Sequence, residues 1–435
     1  MAETTLKAPP ILDKTGKMIV SELQGIRAMM EKDSPLVYGF HINGAESDPY
    51  EAVTYLKDAV GMTPAKMDYT TMKFDYGSWS NAFFMPRPCM VRQTGDVAYY
   101  LDINDYTKKE NGTASDITDT SYAGNAMMEW GRDGKKIWYK IVPDALDPTS
   151  GSVYISDQQA DSEFVAWSFI NNQGTMVDHF YTPIYNGSLI NSTLRSMSGQ
   201  SVSMSLTGGA SAEITAAKAN NQSSNVLWFI ETKADRTLIN LLLILMGKSL
   251  NTQAVFGQGL TTGSEAALTA YRTGALDDKG LFFGYNDTTH AVKVFGMENY
   301  WGAQWRRTAG SIFANGVYKV KMTYGTQDGS TANGYNTDGS GYVSLSAPTP
   351  TGTSGGYIDK MTFTPRGMFP RELNGSETSY YCDSCWYNAS GTFFELVGGA
   401  ADNGSRSGAF VSSLSDGAGN VGWGFGAAVS FKPLA

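Results

Sequence analysis

The chain has 435 residues, enough for two or three domains and a sizeable core. Its 33 Lys and Arg against 42 Asp and Glu give a net charge of −9, which gives no electrostatic reason to expect nucleic acid, whose binding needs clustered Lys and Arg. Charged residues make up only 17%, too few for a disordered polyampholyte, and three cysteines cannot build a disulfide scaffold.

Taken in chain order, residues 1–35 carry Ile19, Val20, Leu23, Ile26 and Met30 at helical spacing, with Ser21 and Gln24 as a capping box. They predict a short helix, for assembly or simply on the surface. A second helix is expected where Asp48 caps, Pro49 takes the first helical position and Glu51 completes the box. Val53, Leu56 and Val60 form its face before Gly61. Residues 74–101 turn strand-like and aromatic, and residues 102–119 read as a polar loop. Strands are expected over 138–142, 153–155 and 163–170.

The strongest helical period runs over residues 225–246. Leu227, Ile230, Ala234, Leu238, Leu241, Leu242 and Leu245 recur at three- and four-residue steps, with Gly247 at the C′ position. Its apolar part is interrupted by Asn240 and is too short to span a bilayer, and Met1–Pro10 lack the apolar run of a secretory signal. Residues 324–357, rich in Gly, Ser, Thr and Asn, predict a long excursion or inserted hairpin.

Candidate chemistry is sparse. Cys382 and Cys385 have the spacing of a redox pair or half a zinc site, but no helical period surrounds them. The only further soft ligands are Cys89 and the scattered His41, His179 and His290, none in a nucleophile motif. Asp102/Asp105 and Asp116/Asp119 have the residue types of glycosidase carboxylates, yet read as solvated turns. No metal site or cofactor is expected. Glu298, Asn299, Tyr300 and Trp301, with Trp305, read as core aromatics and a glutamate orienting backbone rather than a sugar platform.

The C-terminal residues are the most informative. Leu396, Val397, Gly398, Gly399, Asn403, Gly404, Gly408, Phe410, Leu414, Gly426 and Phe431 form a glycine-rich frame. Between them stand Ala400, Asp402, Ser405, Arg406, Val411, Ser413, Asp416, Gly422 and Gly424, of unrelated chemistry. A fixed backbone with interchangeable side chains suits recognition rather than catalysis.

This frame, closing with Gly426 to Phe431, resembles the variable region of proteins diversified by retroelements in bacteriophages and bacteria. The resemblance continues upstream in order. It takes in Gly124 to Trp130, Trp138 to Lys140, Leu194 to Gly199, Asn251 to Gly259 and, most sharply, Gly296 to Gly302, covering residues 72–435. It implies an α+β chain with a C-type-lectin-like C-terminal domain over 121–435 and a mixed N-terminal region. Within it, 324–357 is an insert and 380–431 the variable region. Residues 1–71 would attach the protein to a particle, with 72–120 linking.

The resemblance assigns the ligand face to Ser384, Cys385, Tyr387, Phe394, Ala400, Asp402, Arg406, Val411, Ser413, Ser415, Asp416, Gly422, Trp423 and Gly424. Many are reachable from an asparagine codon by changing its first two bases, which is the family's mechanism. Tyr387, Phe394, Arg406 and Trp423 are the expected anchors, and Trp423 also reads as a core residue. The implied function is that of a phage virion protein at the tail tip or fibre, made in the host cytoplasm and binding a host-surface protein or glycan. Other virion proteins are expected partners and a homotrimer the candidate assembly, without nucleic acid or membrane insertion. Two alternatives stand beside it: a bacterial or prophage-encoded display protein, and a formylglycine-generating oxidase, whose paired cysteines sit in a different context. The strings for calcium-dependent sugar binding in C-type lectins do not occur.

Overall fold

The computed structural model describes residues 35–204, 206–222 and 226–433. The helix expected from Ile19 to Met30 lies outside them. From Val37 onward the described residues form one compact unit, which contains everything that follows.

The described chain is α+β, dominated by strands. A four-stranded sheet has the spatial order Val53–Lys57, Val37–Ile42, Gly151–Ser156, Trp138–Pro143, all antiparallel. A six-stranded sheet runs Val226–Ile230, Val429–Pro433, Phe180–Pro183, Gly124–Trp130, Arg87–Arg92, Val97–Tyr100. An eight-stranded sheet carries the variable region, in the order Val343–Ser344, Val317–Val320, Trp305–Ala314, Thr392–Val397, Ser412–Leu414, Ser384–Tyr387, Gly356–Tyr357. Its eighth strand, Phe425–Gly426, runs parallel to Trp305–Ala314.

The centre of the molecule is the helix Lys233–Gly247, of which every residue but Asn240 is buried. A helix apolar on all sides must be covered on all sides. Val37–Ile42 and Trp305–Ala314 both pack on it, and Leu238, Leu241, Leu242 and Leu245 join one core with Phe40, Ile42, Phe313 and Trp301. Its charged first turn is paired internally: Lys233 with Glu395 at 2.8 Å, Arg236 with Glu231 at 3.6 Å, and Asp235 with Lys432 at 3.5 Å.

Several expectations are corrected. The helix begins at Lys233, because Leu227 and Ile230 belong to a strand paired with Val429–Pro433. Its left-handed cap is Lys248 at φ 47°, while Gly247 is the last helical residue. The helix expected from Asp48 forms a single turn, with the Ala52 amide on the Asp48 carbonyl at 2.9 Å. Val53 onward is drawn into a strand against Val37–Ile42, whose long-range pairing overrides the local signal. Residues 163–170 hold two isolated bridges, Val165 with Tyr139 and Ile170 with Met176, and the 3-10 turn Trp167–Phe169 rather than a strand.

Residues 324–357 are not an outlying insert. Lys321 is buried and its ammonium is held by Gly325 O, Ser330 Oγ and Ala332 O, while Asp328 accepts from the amides of Met322 and Ser330. The boundaries at 71/72 and 120/121 do not divide the fold. Strands from 37–57 and 87–100 share sheets with strands from beyond residue 121.

Candidate functional site

The variable region occupies adjacent strands because its ladder alternates direction: Ser384–Tyr387 is parallel to Ser412–Leu414, which is antiparallel to Thr392–Val397. The connecting loops are pinned from beneath. Asp383, fully buried, accepts from the Phe410 amide at 2.7 Å, and Gly408 lies so close to the same carboxyl that a Cβ would collide with it. Burial pushes the Asp383 carboxyl well above its ordinary range. Gly399, at φ 74°, packs on Ser407 Oγ in the same way.

This geometry divides the assigned positions. Asp402, Arg406 and Gly422 are exposed, and Tyr387, Ser415, Asp416, Trp423 and Gly424 are half-buried. Ser384, Cys385, Phe394, Ala400, Val411 and Ser413 are buried, which corrects their assignment to an open face. Phe394 stands opposite Ile312 and enters the core shared with Phe229 and Phe431, so it cannot anchor a ligand. Ala400 and Val411 lie under Trp305 and Leu396, and Cys385 belongs to the main core. Trp423 packs with the Leu260, Leu268 and Ala401 cluster, apart from the aromatics around Arg406.

What the fold brings together includes residues the sequence did not single out. Arg406 Cζ lies 5.9 Å from the ring centre of Trp386 and 6.0 Å from that of Tyr357. Trp386 meets Trp305 edge-on at 5.5 Å, and Phe425 packs on the same cluster. Arg406 forms no ion pair among the described residues, so its charge is held only by two aromatic faces.

The polar groups around it are spent on one another. Tyr357 OH meets Ser405 Oγ at 2.8 Å, and Ser405 donates to Glu377 at 2.9 Å. Tyr387 OH donates to Gly352 O at 3.0 Å, and Ser413 and Asn420 both donate to Asp416. What faces outward is aromatic surface, one guanidinium and the carboxylate of Asp402. Trp386 had one sequence signal, its place among the aromatics Tyr380, Tyr381 and Tyr387 that flank Cys382 and Cys385. The approach of residue 357 to residue 406 has none.

The alternative chemistries find little support in geometry. Cys382 and Cys385 are free and buried, and burial pushes the Cys382 thiol up to about 12 and raises Cys385 likewise. Thiolate chemistry needs the opposite shift. His41 meets Ser152 at 3.2 Å and Asp144 at 3.8 Å, the residue types of a hydrolytic triad. Ser152 is the second residue of a strand paired on both edges, opposite His41 and Val142, and the ladder takes up the strand's amides that an oxyanion would need. Asp102, Asp105 and Asp119 cap their own turns by accepting from amides two residues on. Asp116 accepts from Tyr99 OH. Glu298 accepts from the amides of Gly274 and Leu276 and from Tyr271, and Trp301 Nε1 donates to Gly257 O at 3.1 Å; both organise the core.

No protein-family model and no curated protein sequence matches the chain.

Proposed function

We propose that this chain is a bacteriophage virion protein, at the tail tip or fibre, that binds a ligand on the host surface. In this reading the eight-stranded sheet and the central helix are a C-type-lectin-like core. The ligand face is the patch of Tyr357, Trp386, Tyr387, Asp402, Arg406 and Phe425. The observation that carries it is the unpaired Arg406 guanidinium lying over two half-buried aromatic rings, on strands fixed from below by Asp383 and the glycines. Aromatic and arginine side chains dominate binding energy in protein interfaces, and a rigid base lowers the entropy lost on association.

The test is a triple variant, Trp386→Ala, Tyr387→Ala and Arg406→Ala, assayed for adsorption of the particle to its host. Adsorption should fall by more than about tenfold, since each anchor contributes roughly 1–2 kcal/mol or more. Unchanged adsorption by a folded variant would move the recognition surface elsewhere and end this reading. Neighbouring tail genes and a reverse transcriptase gene would favour the virion protein over a cellular display protein.

A further inference from the structure

Beneath the variable face lies a small pocket of about 30 Å³, lined by Lys233, Arg236, Thr237 and Asn240 and closed by Leu241 and Phe410. Its size suits one water-sized occupant. Arg236 is only 2% exposed, and its Nε and Nη2 have no hydrogen-bond partner among the described residues. Buried donors left unmet cost free energy, so an occupant is expected.

The lining decides which occupant. Lys233 and Arg236 can only donate. Asn240 donates through Nδ2 to Ala409 O at 2.7 Å, and its Oδ1 already accepts from Tyr300 OH at 2.8 Å. Among the polar side chains of the lining, acceptor capacity is confined to the Thr237 hydroxyl and what remains on Asn240. A water would satisfy the arginine but leave its own hydrogens poorly met. An anion takes donors alone.

The charge balance agrees. Lys233 is matched by Glu395, whereas Arg236 and Arg306, both nearly inaccessible, share the single carboxylate of Glu231 at 3.6 and 3.5 Å. The next carboxyl to act on Arg236, Asp383, is raised well above its ordinary range by its own burial. Two buried guanidiniums thus lean on one carboxylate, at distances too long for close pairing.

We propose that this pocket binds a small monoatomic anion, chloride in the cell, between Lys233 and Arg236. The ion completes the electrostatics of the helix's first turn and fills the space under Phe410, at the base of the variable loops. The site stands whatever ligand the outer face takes.

The full chain is melted in sodium chloride, sodium bromide and sodium gluconate at matched ionic strength, and crystals are grown in bromide. Either halide should raise Tm saturably, by on the order of 2 °C, where gluconate does not. Bromide should give an anomalous peak within hydrogen-bond reach of the Arg236 guanidinium. Arg236→Met should abolish the halide-dependent rise. Equal melting in the three salts, a water where the peak is expected, or halide dependence surviving in Arg236→Met would each overturn the proposal. Should Arg236→Met not fold, the bromide map of the unaltered chain decides.

Discussion

At the scale of single residues, the sharpest feature is a set of ionisable groups sealed in the core. Lys293 is 1% exposed, donates to Leu276 O at 2.8 Å and sits 3.5 Å over the Tyr106 ring. Burial pushes its ammonium down, and it pushes the carboxyls of Asp277 and Glu298 up, with the Lys293 charge opposing the rise at Asp277. Lys293→Met removes that compensation, so the folded-state pKa of Asp277 climbs further. A carboxyl with a raised folded pKa contributes stability that is complete below its unfolded value, about 4, and is lost as pH rises through the folded value. Lys293→Met should therefore lose more melting temperature at pH 8 than at pH 5. Equal losses at the two pH values would contradict the argument.

The frame and the face should also separate in melting. Trp301→Ala should cost about 3–5 kcal/mol, because the ring is fully buried. Gly399→Val should be severe as well, through its positive φ and the contact with Ser407. Asp402→Ala and Arg406→Ala, both exposed, should stay within roughly 0.5 kcal/mol of the parent. Similar losses in the two groups would show that frame and face are one unit. The frame was legible in the sequence because glycines and buried aromatics announce their constraint. The face was legible only in part. Which way a strand residue points depends on the phase of the pleat and on what covers each side, and Phe394 is covered on its side by the second sheet.

At the scale of elements, the central helix was found from its leucines but given the wrong start. Leu227 and Ile230 continue the helical spacing, yet Trp228 stacks on Phe431 at 4.5 Å and the segment pairs along its length with Val429–Pro433. That partner is some two hundred residues away, and no local pattern reports it. The same holds for Val53–Lys57, where a capping signal was real but lasted one turn. The true N-cap of the helix is Thr232, whose Oγ1 accepts from the Asp235 amide at 3.3 Å and donates to its carboxylate at 2.7 Å. Thr232→Ala should destabilise by about 1–2 kcal/mol, whereas Lys248→Gly at the left-handed cap should be neutral or stabilising. Chemical denaturation of the two variants checks the pair, and an unaffected Thr232→Ala would mean the cap does not limit the helix.

At the scale of the whole molecule, the chain order and the spatial order do not agree, and this governs which pieces can fold. Val429–Pro433 lies between Val226–Ile230 and Phe180–Pro183, so the last described strand joins two parts of the six-stranded sheet. Arg87–Arg92 pairs with Gly124–Trp130 along six positions, and Val37–Ile42 with Gly151–Ser156 along six. A fragment of residues 121–435, cut where the resemblance would end a lectin-like domain, loses both partners. It would expose Met127, Met128, Val153 and Ile155, all fully buried in the intact chain, along two unpaired strand edges. Residues 37–435 keep every one of these pairs. The shorter fragment should be insoluble or melt without cooperativity, and the longer one should give a single sharp transition by calorimetry. If residues 121–435 fold alone with a cooperative melt and resist proteolysis, the strands of residues 37–100 are accessories to an autonomous domain. Should the longer fragment alone do so, the strands of residues 37–100 are part of the scaffold that holds the face in place.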